Sequence, residues 1–372
     1  MRASSRWAPL AVALLVALAP GATVVLASVL AEIPSSSTST HSIYDGSSPS
    51  SLSDQTRGGS LRAGNMAVPS LVHVMGTRQS ILIVPVPHPW GVAYDPHMHE
   101  VFVANAGTNA VTVISDVTNT VVATIPVGTQ PWGVAYDAAK HEVFVSNWVS
   151  NNVSVISDAT NKVVATVTVG FLPTGVAYDA AKHEVFVANR DSFTASVISD
   201  ATNAVVATVT VGGYPLGVAY DPAKHEVFVT DYGSNNVSVV SDATNSVVAT
   251  VPVQSSPGSV AYDPAKHEVF VTDYGSDNVS VISDATNSVV ATVTVQSGPS
   301  GVAYDPAKHE VFVTDYESNN VSAISDGTNA VDATVSVGTN PWGAVYDPAK
   351  QELFVTNYGS GSVNRVADAT SI

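Results

Sequence analysis

Residues 215–254 read PLGVAYDPAKHEVFVTDYGSNNVSVVSDATNSVVATVPVQ, and the chain says nearly the same thing seven times. Pro215 is one of seven prolines set 42 residues apart, with Pro89, Pro131, Pro173, Pro257, Pro299 and Pro341. A fixed period of this length marks an array of supersecondary units, each too small to bury its own apolar face and stable only against its neighbours. Any specific site on such an array should show as a break in the repetition.

Each copy contains four segments of strand character separated by turn signals. In the second copy Gly133–Tyr136 precedes a turn over 137–140, and Glu142–Ser146 precedes a second turn over 147–151. Asn152–Ile156, a turn over 157–161 and the run Val163–Val169 complete it. Val, Phe, Tyr and Thr dominate, nothing has helical spacing, and several copies place Asp-Pro where a type I turn needs them. Apolar residues on both faces of the first two segments predict sheets covered on both sides, while the third segment alternates. Four short strands in about 40 residues fit the blade of a β-propeller. The seventh copy stops at Ile372 after three strands, and Ile81–Val86 supplies the missing fourth. The expected fold is therefore an all-β, seven-bladed propeller over residues 79–372, with four antiparallel strands per blade. An N-terminal strand completes the last blade, so that no open sheet edge remains.

Phe354-Val-Thr-Asn357, the third-strand Asn-Val-Ser-Val-Ile and the fourth-strand Val-Val-Ala-Thr-Val-x-Val-Gly resemble the YVTN-family β-propeller repeat. The resemblance covers residues 79–372 and implies an exported propeller of the archaeal surface-layer type. Most copies depart from the family motif by carrying Phe for Tyr, and blades 4 to 6 carry Asp for Asn. The resemblance is specific to the fold and carries no particular activity, because propellers host binding modules, lyases, lactonases and redox enzymes alike.

The remainder of the chain agrees with export. Arg2 and Arg6 precede an apolar run to Ala31, read as a signal peptide cleaved after Ala27 or Ala31, or as an uncleaved membrane anchor. Residues 32–78 are read as a Ser/Thr-rich linker or stalk. No cysteine is present, which excludes disulfides, thiolate metal sites and a cysteine nucleophile. The formal charge is −17, but three repeat positions, Asp95, Glu100 and Asp116 with their counterparts, hold 21 of the 31 acidic residues. The acidity is turn chemistry multiplied by seven. Six of the seven lysines, Lys140, Lys182, Lys224, Lys266, Lys308 and Lys350, fall one to a copy among acids, a pattern unsuited to nucleic acid.

Six histidines, His99, His141, His183, His225, His267 and His309, occupy one repeat position and are expected to be solvated turn residues in a ring. The extra His97 pairs with His99 as a weak metal site. Asn152, Asn236, Asn278 and Asn320 head N-V-S glycosylation sequons, which the strand pattern itself also generates. The breaks in repetition are more informative. After the blade-opening proline stand Trp90, Trp132 and Trp342 in blades 1, 2 and 7, which ring closure makes consecutive. Trp148 adds an indole from the neighbouring loop. Asn105, Asn147 and Asn357 in one half of the ring, and Asp231-Tyr232, Asp273-Tyr274 and Asp315-Tyr316 in the other, complete the candidate ligand face. Aromatic faces flanked by amides and carboxylates suit glycans or extended peptides. Packing between blades, with the Asn/Asp ring tying down backbone amides, accounts for the same residues. No cofactor is implied, although Asp231, Asp273 and Asp315 on adjacent blades suit Ca²⁺. The sequence thus favours an exported, non-enzymatic structural or recognition module at the cell surface, with surface proteins or glycans as partners. A metal-dependent lactonase or lyase with its site in the central channel is the alternative.

Overall fold

The computed structural model describes residues 79–367. The expected signal segment and linker, residues 1–78, lie outside that range. Among the described residues, twenty-eight strands, numbered β1 to β28 in chain order, form seven antiparallel four-stranded sheets, and there is no helix. Each blade opens on an inner strand beginning at its proline: β2 (Pro89–Asp95), β6 (Pro131–Asp137), β10 (Pro173–Asp179), β14 (Pro215–Asp221), β18 (Pro257–Asp263), β22 (Pro299–Asp305) and β26 (Pro341–Asp347). The inner strands pack side by side in this order, and β26 returns against β2. The ring is closed.

Turn chemistry sets the blade. At the first turn of blade 2, Asp137 is fully buried and its Oδ1 accepts the N–H groups of Ala139 and Lys140 at 2.8 and 3.1 Å. His141, Asn151 and Asn161 close the three successive turns with φ of 56°, 56° and 52°. This left-handed conformation is one that Asn and His adopt more readily than most residues. The pattern recurs from blade to blade, so one set of local rules builds all seven.

The last blade closes as the sequence predicts. β1 (Gln79–Pro85) pairs antiparallel with β28 (Ser362–Ala367), which continues through β27 (Glu352–Asn357) to β26. Between blades, a hydroxyl one residue before the end of the second strand donates to a carbonyl of the next inner strand. Thr230 reaches the Gly258 carbonyl at 2.6 Å, Thr272 that of Ser300 at 2.9 Å and Thr314 that of Trp342 at 2.8 Å. Thr356 reaches the Trp90 carbonyl at 2.6 Å, the same staple across the closure. In six blades a glycine stands two residues after the opening proline and leaves room for this approach, with Ser259 at that position in blade 5. A Cβ on Gly133 would collide with the Thr174 carbonyl, and one on Gly343 would stand 2.7 Å from that of Trp90.

The core is divided into seven layers, each shared by two adjacent blades. Phe102, Val111, Val113 and Ile125 of blade 1 pack on Val143, Val145 and Ile156 of blade 2. The layer at the closure joins Val84, Val86, Phe354 and Val363 to Tyr94, Val101, Val103 and Ile114. The third strand departs from expectation. Its chemistry alternates but its burial does not: Ser154 is as buried as its valine neighbours, because its hydroxyl accepts a hydrogen bond from Asn147. The fourth, outermost strand shows solvent a face, as in β5 (Thr120–Pro126).

Candidate functional site

The tryptophans converge. Pairing of Pro131 with Asn147 places the start of each inner strand beside the end of the second strand, so both sets of loops reach one face. The Trp148 N–H donates to the Gln130 carbonyl at 2.9 Å, fixing one loop on the other. From there a series of ring contacts runs around the mouth of the channel. Trp148 and Trp132 have centroids 5.3 Å apart, Trp132 and Trp342 5.6 Å, Trp342 and Tyr316 5.7 Å, and Tyr316 and Tyr274 6.4 Å. Trp90 touches Trp132 and lies 5.1 Å from Trp342 and 5.6 Å from Tyr358. All of these rings, and Tyr232, are half-buried, so each packs on a neighbour and also faces solvent. Tyr358 of blade 7 belongs to the series.

Two polar groups stand on the same face. Glu317 is exposed and accepts hydrogen bonds from the Tyr274 hydroxyl at 3.2 Å and the Ser297 hydroxyl at 3.1 Å. Burial, and then the Glu317 carboxylate, raise Tyr274 well above the ordinary phenol range, so it remains a donor. Arg190 pairs with Asp191 at 3.2 Å and lies 4.8 Å over the Tyr214 ring.

The amides and carboxylates expected on this face lie beneath it. Asn105, Asn147, Asn357, Asp231, Asp273 and Asp315 are each at most 3% exposed. Their partners belong to the fold. Asn147 Nδ2 donates to Ser154 at 2.9 Å, whereas Asp231 Oδ2 accepts from Ser238 at 2.7 Å, so the same ladder runs with its polarity reversed. Asn189 accepts the Gly170 N–H of the preceding blade at 3.0 Å, and the Gly212 N–H serves Asp231 likewise. These residues tie strand ends together. Burial pushes the Asp231, Asp273 and Asp315 carboxyls up to about 7, which the hydrogen bonds from Ser238, Ser280 and Ser322 only partly offset.

Nor does the structure bring the three carboxylates together as a cation site. Among the described residues the group of His, Asp or Glu side chains with ligand atoms within 4.8 Å of one another is His97, His141 and Asp158. The channel below the aromatic rings holds a cavity of about 190 Å³. Its wall is built from the Gly-Val steps of the inner strands, such as Gly133-Val134 and Gly175-Val176, with Trp132, Trp342, Tyr232 and Tyr274 above them. Among the described residues no Asp, Glu, His, Lys or Arg lines it.

At the opposite end of the strands the histidines are more engaged than solvated turn residues would be. Tyr136 Oη donates to Asp158 Oδ2 at 3.2 Å, and His141 Nδ1 lies 3.1 Å from the tyrosine oxygen and 3.3 Å from the carboxylate. The same Tyr–His–Asp cluster occurs with His99, His183, His225, His267 and His309. The aspartate of each cluster is buried. It is the Ser-Asp position read in the sequence as turn chemistry, and the fixed spacings of 5 and 17 residues were the missed signal. The His97 ring lies 4.3 Å from that of His141 in the next blade. The sequon residues Asn152, Asn236, Asn278 and Asn320 are half-buried at the start of third strands.

A scan against protein-family models finds no match, and a search of curated proteins finds none. Among solved structures, hydrazine synthase of Kuenenia stuttgartiensis aligns with a TM-score of 0.71 at 20% identity, over 77% of this chain and 97% of that one. At that identity the likeness concerns the propeller fold.

Proposed function

We propose that this protein is an exported, non-enzymatic recognition module that binds a glycan or an extended peptide across the aromatic rings at the channel mouth. The observation that supports this reading is the run of half-buried indoles and phenols, Trp148 to Tyr274, on one face of the ring. A ring with one face packed and the other wet offers flat apolar area at low entropic cost, which suits sugar rings and proline- or aromatic-rich peptide. Tyr274 and Glu317 would supply the few directional hydrogen bonds that such sites use. Placement at the cell surface rests on the apolar, Arg-led N-terminus and the Ser/Thr-rich segment after it. The alternative of a metal-dependent lactonase in the channel has, among the described residues, no carboxylate or imidazole lining the cavity to bind a metal or move a proton.

Titration of the full chain with a glycan and peptide panel, followed by tryptophan fluorescence, tests the reading. A ligand that changes the emission should lose at least about tenfold in affinity with Trp132→Ala, the loss of one buried aromatic anchor. Trp132→Phe should keep part of the binding. Equal affinity in wild type and Trp132→Ala, or no binder in the panel, would remove the aromatic face as the site.

A further inference from the structure

Blade 1 departs from the repeat twice at adjacent positions, at the end of the strands remote from the aromatic rings. Where the other six blades have alanine (Ala139, Ala181, Ala223, Ala265, Ala307, Ala349) it has His97. Where they have lysine it has Met98. The lysine position has a visible role at the junction between blades 7 and 1. Lys350 Nζ reaches across to Asp116, bonding its carbonyl and lying 3.0 Å from Oδ1. The repeat there sets a cation against the buried aspartate of the following blade. At the junction between blades 1 and 2, Met98 cannot do so. In compensation an imidazole has been added: His97 stands against His141, with centroids 4.3 Å apart, and beside Asp158.

We propose that His97, His141 and Asp158 form a binding site for one borderline transition-metal dication of the Zn²⁺ class, bridging blades 1 and 2. Their ligand atoms lie within 4.8 Å of one another, so shifts of side-chain torsion alone bring them to a common centre at about 2.0–2.2 Å. Both imidazoles are exposed and can be reached from solvent, whereas Asp158 is 2% exposed. All three are held from behind. The His97 N–H donates to Asp95 Oδ1 at 2.8 Å, and the Asp158 N–H to the His141 carbonyl at 3.1 Å. Tyr136 donates to the Asp158 carboxylate at 3.2 Å, the outer-shell partner that orients a metal-binding carboxylate. Two nitrogens and a carboxylate favour Zn²⁺, Ni²⁺ or Cu²⁺ over Ca²⁺ and Mg²⁺, and three protein ligands leave positions for water. The dication replaces the positive charge that Met98 has removed from Asp158. The other five Tyr–His–Asp clusters have alanine in place of the second imidazole and serve as internal controls.

Calorimetric titration of the untagged full chain with ZnCl₂ tests the site, with CaCl₂ in parallel. One equivalent of Zn²⁺ should bind to wild type, and the His97→Ala variant should lose at least about 100-fold in affinity, the upper end of what removal of an outer partner alone costs. His97→Ala installs the residue that six blades already carry, so its circular dichroism and melting without metal should match wild type. Co²⁺ bound to wild type should show d–d absorption bands that are missing in the variant. Undiminished Zn²⁺ binding by His97→Ala, no Zn²⁺ binding by wild type, or Ca²⁺ binding that depends on His97 would each overturn the assignment.

Discussion

Asp231, Asp273 and Asp315 occupy a position that carries asparagine in the other four blades, and the exchange has a thermodynamic signature. In the folded protein burial raises their carboxyls to about 7, from an ordinary value of 3.8. A raised acid binds more protons folded than unfolded, so stability falls as pH rises from about 4 to about 7 and is constant above that. A displacement of this size corresponds to an upper bound of about 4 kcal/mol per carboxylate. Replacing all three by Asn, with Ser238, Ser280 and Ser322 free to turn their hydroxyls into acceptors as Ser154 does, should flatten the slope and raise stability at pH 8. Urea denaturation of wild type and triple variant at pH 5 and pH 8 measures this. If the triple variant is no more stable than wild type at pH 8, the carboxylates are not strained by burial. The same residues show where reading a sequence stops. An Asn or Asp at a strand end next to tryptophans looks like part of a ligand face. Whether its side chain points up to solvent or down to the amide of the preceding blade depends on the angle between sheets, which no spacing within one copy encodes.

At the scale of elements, β1 is the strand on which ring closure depends, and it was legible because the seventh copy lacks its fourth strand. Val84 enters the closure layer with Phe354, Val363 and Val101 and is 7% exposed. A carboxylate there has no partner in the layer, so Val84→Asp should cost on the order of 3 kcal/mol. The same change at Val122, 48% exposed on β5, should cost within about 0.5 kcal/mol. Chemical denaturation of the two variants gives the comparison, and equal costs would show that the N-terminal strand adds little to closure. The staple from Thr356 to Trp90 and the Trp90–Trp342 contact both cross this junction, so the aromatic face depends on it too. The convergence of the tryptophans could be read ahead of the structure, since ring closure makes blades 7, 1 and 2 neighbours. The partner of His97 could not. The sequence neighbour His99 is two residues away, but successive residues of a turn diverge, and the lateral contact to His141 spans two separate copies.

For the molecule as a whole, a closed ring of near-identical units behaves differently from an open stack of them. In an open array each terminal repeat has one interface instead of two and frays first. Here every core layer, including the one between blades 7 and 1, is shared by two blades, so no blade is terminal. Stability should then vary within blades more than between them. The second strands are almost wholly buried, while the fourth strands expose one face. Hydrogen exchange should find amides of β27 and of its counterparts in every blade slowest, those of the outer strands fastest, and blades 1 and 7 as protected as blade 4. Val84→Asp supplies the decisive contrast. If it opens the ring, blades 7 and 1 become ends, and their second strands should lose protection ahead of blade 4. Loss of protection spread evenly over all seven blades would mean that the layers between them, rather than the closing strand, hold the ring together.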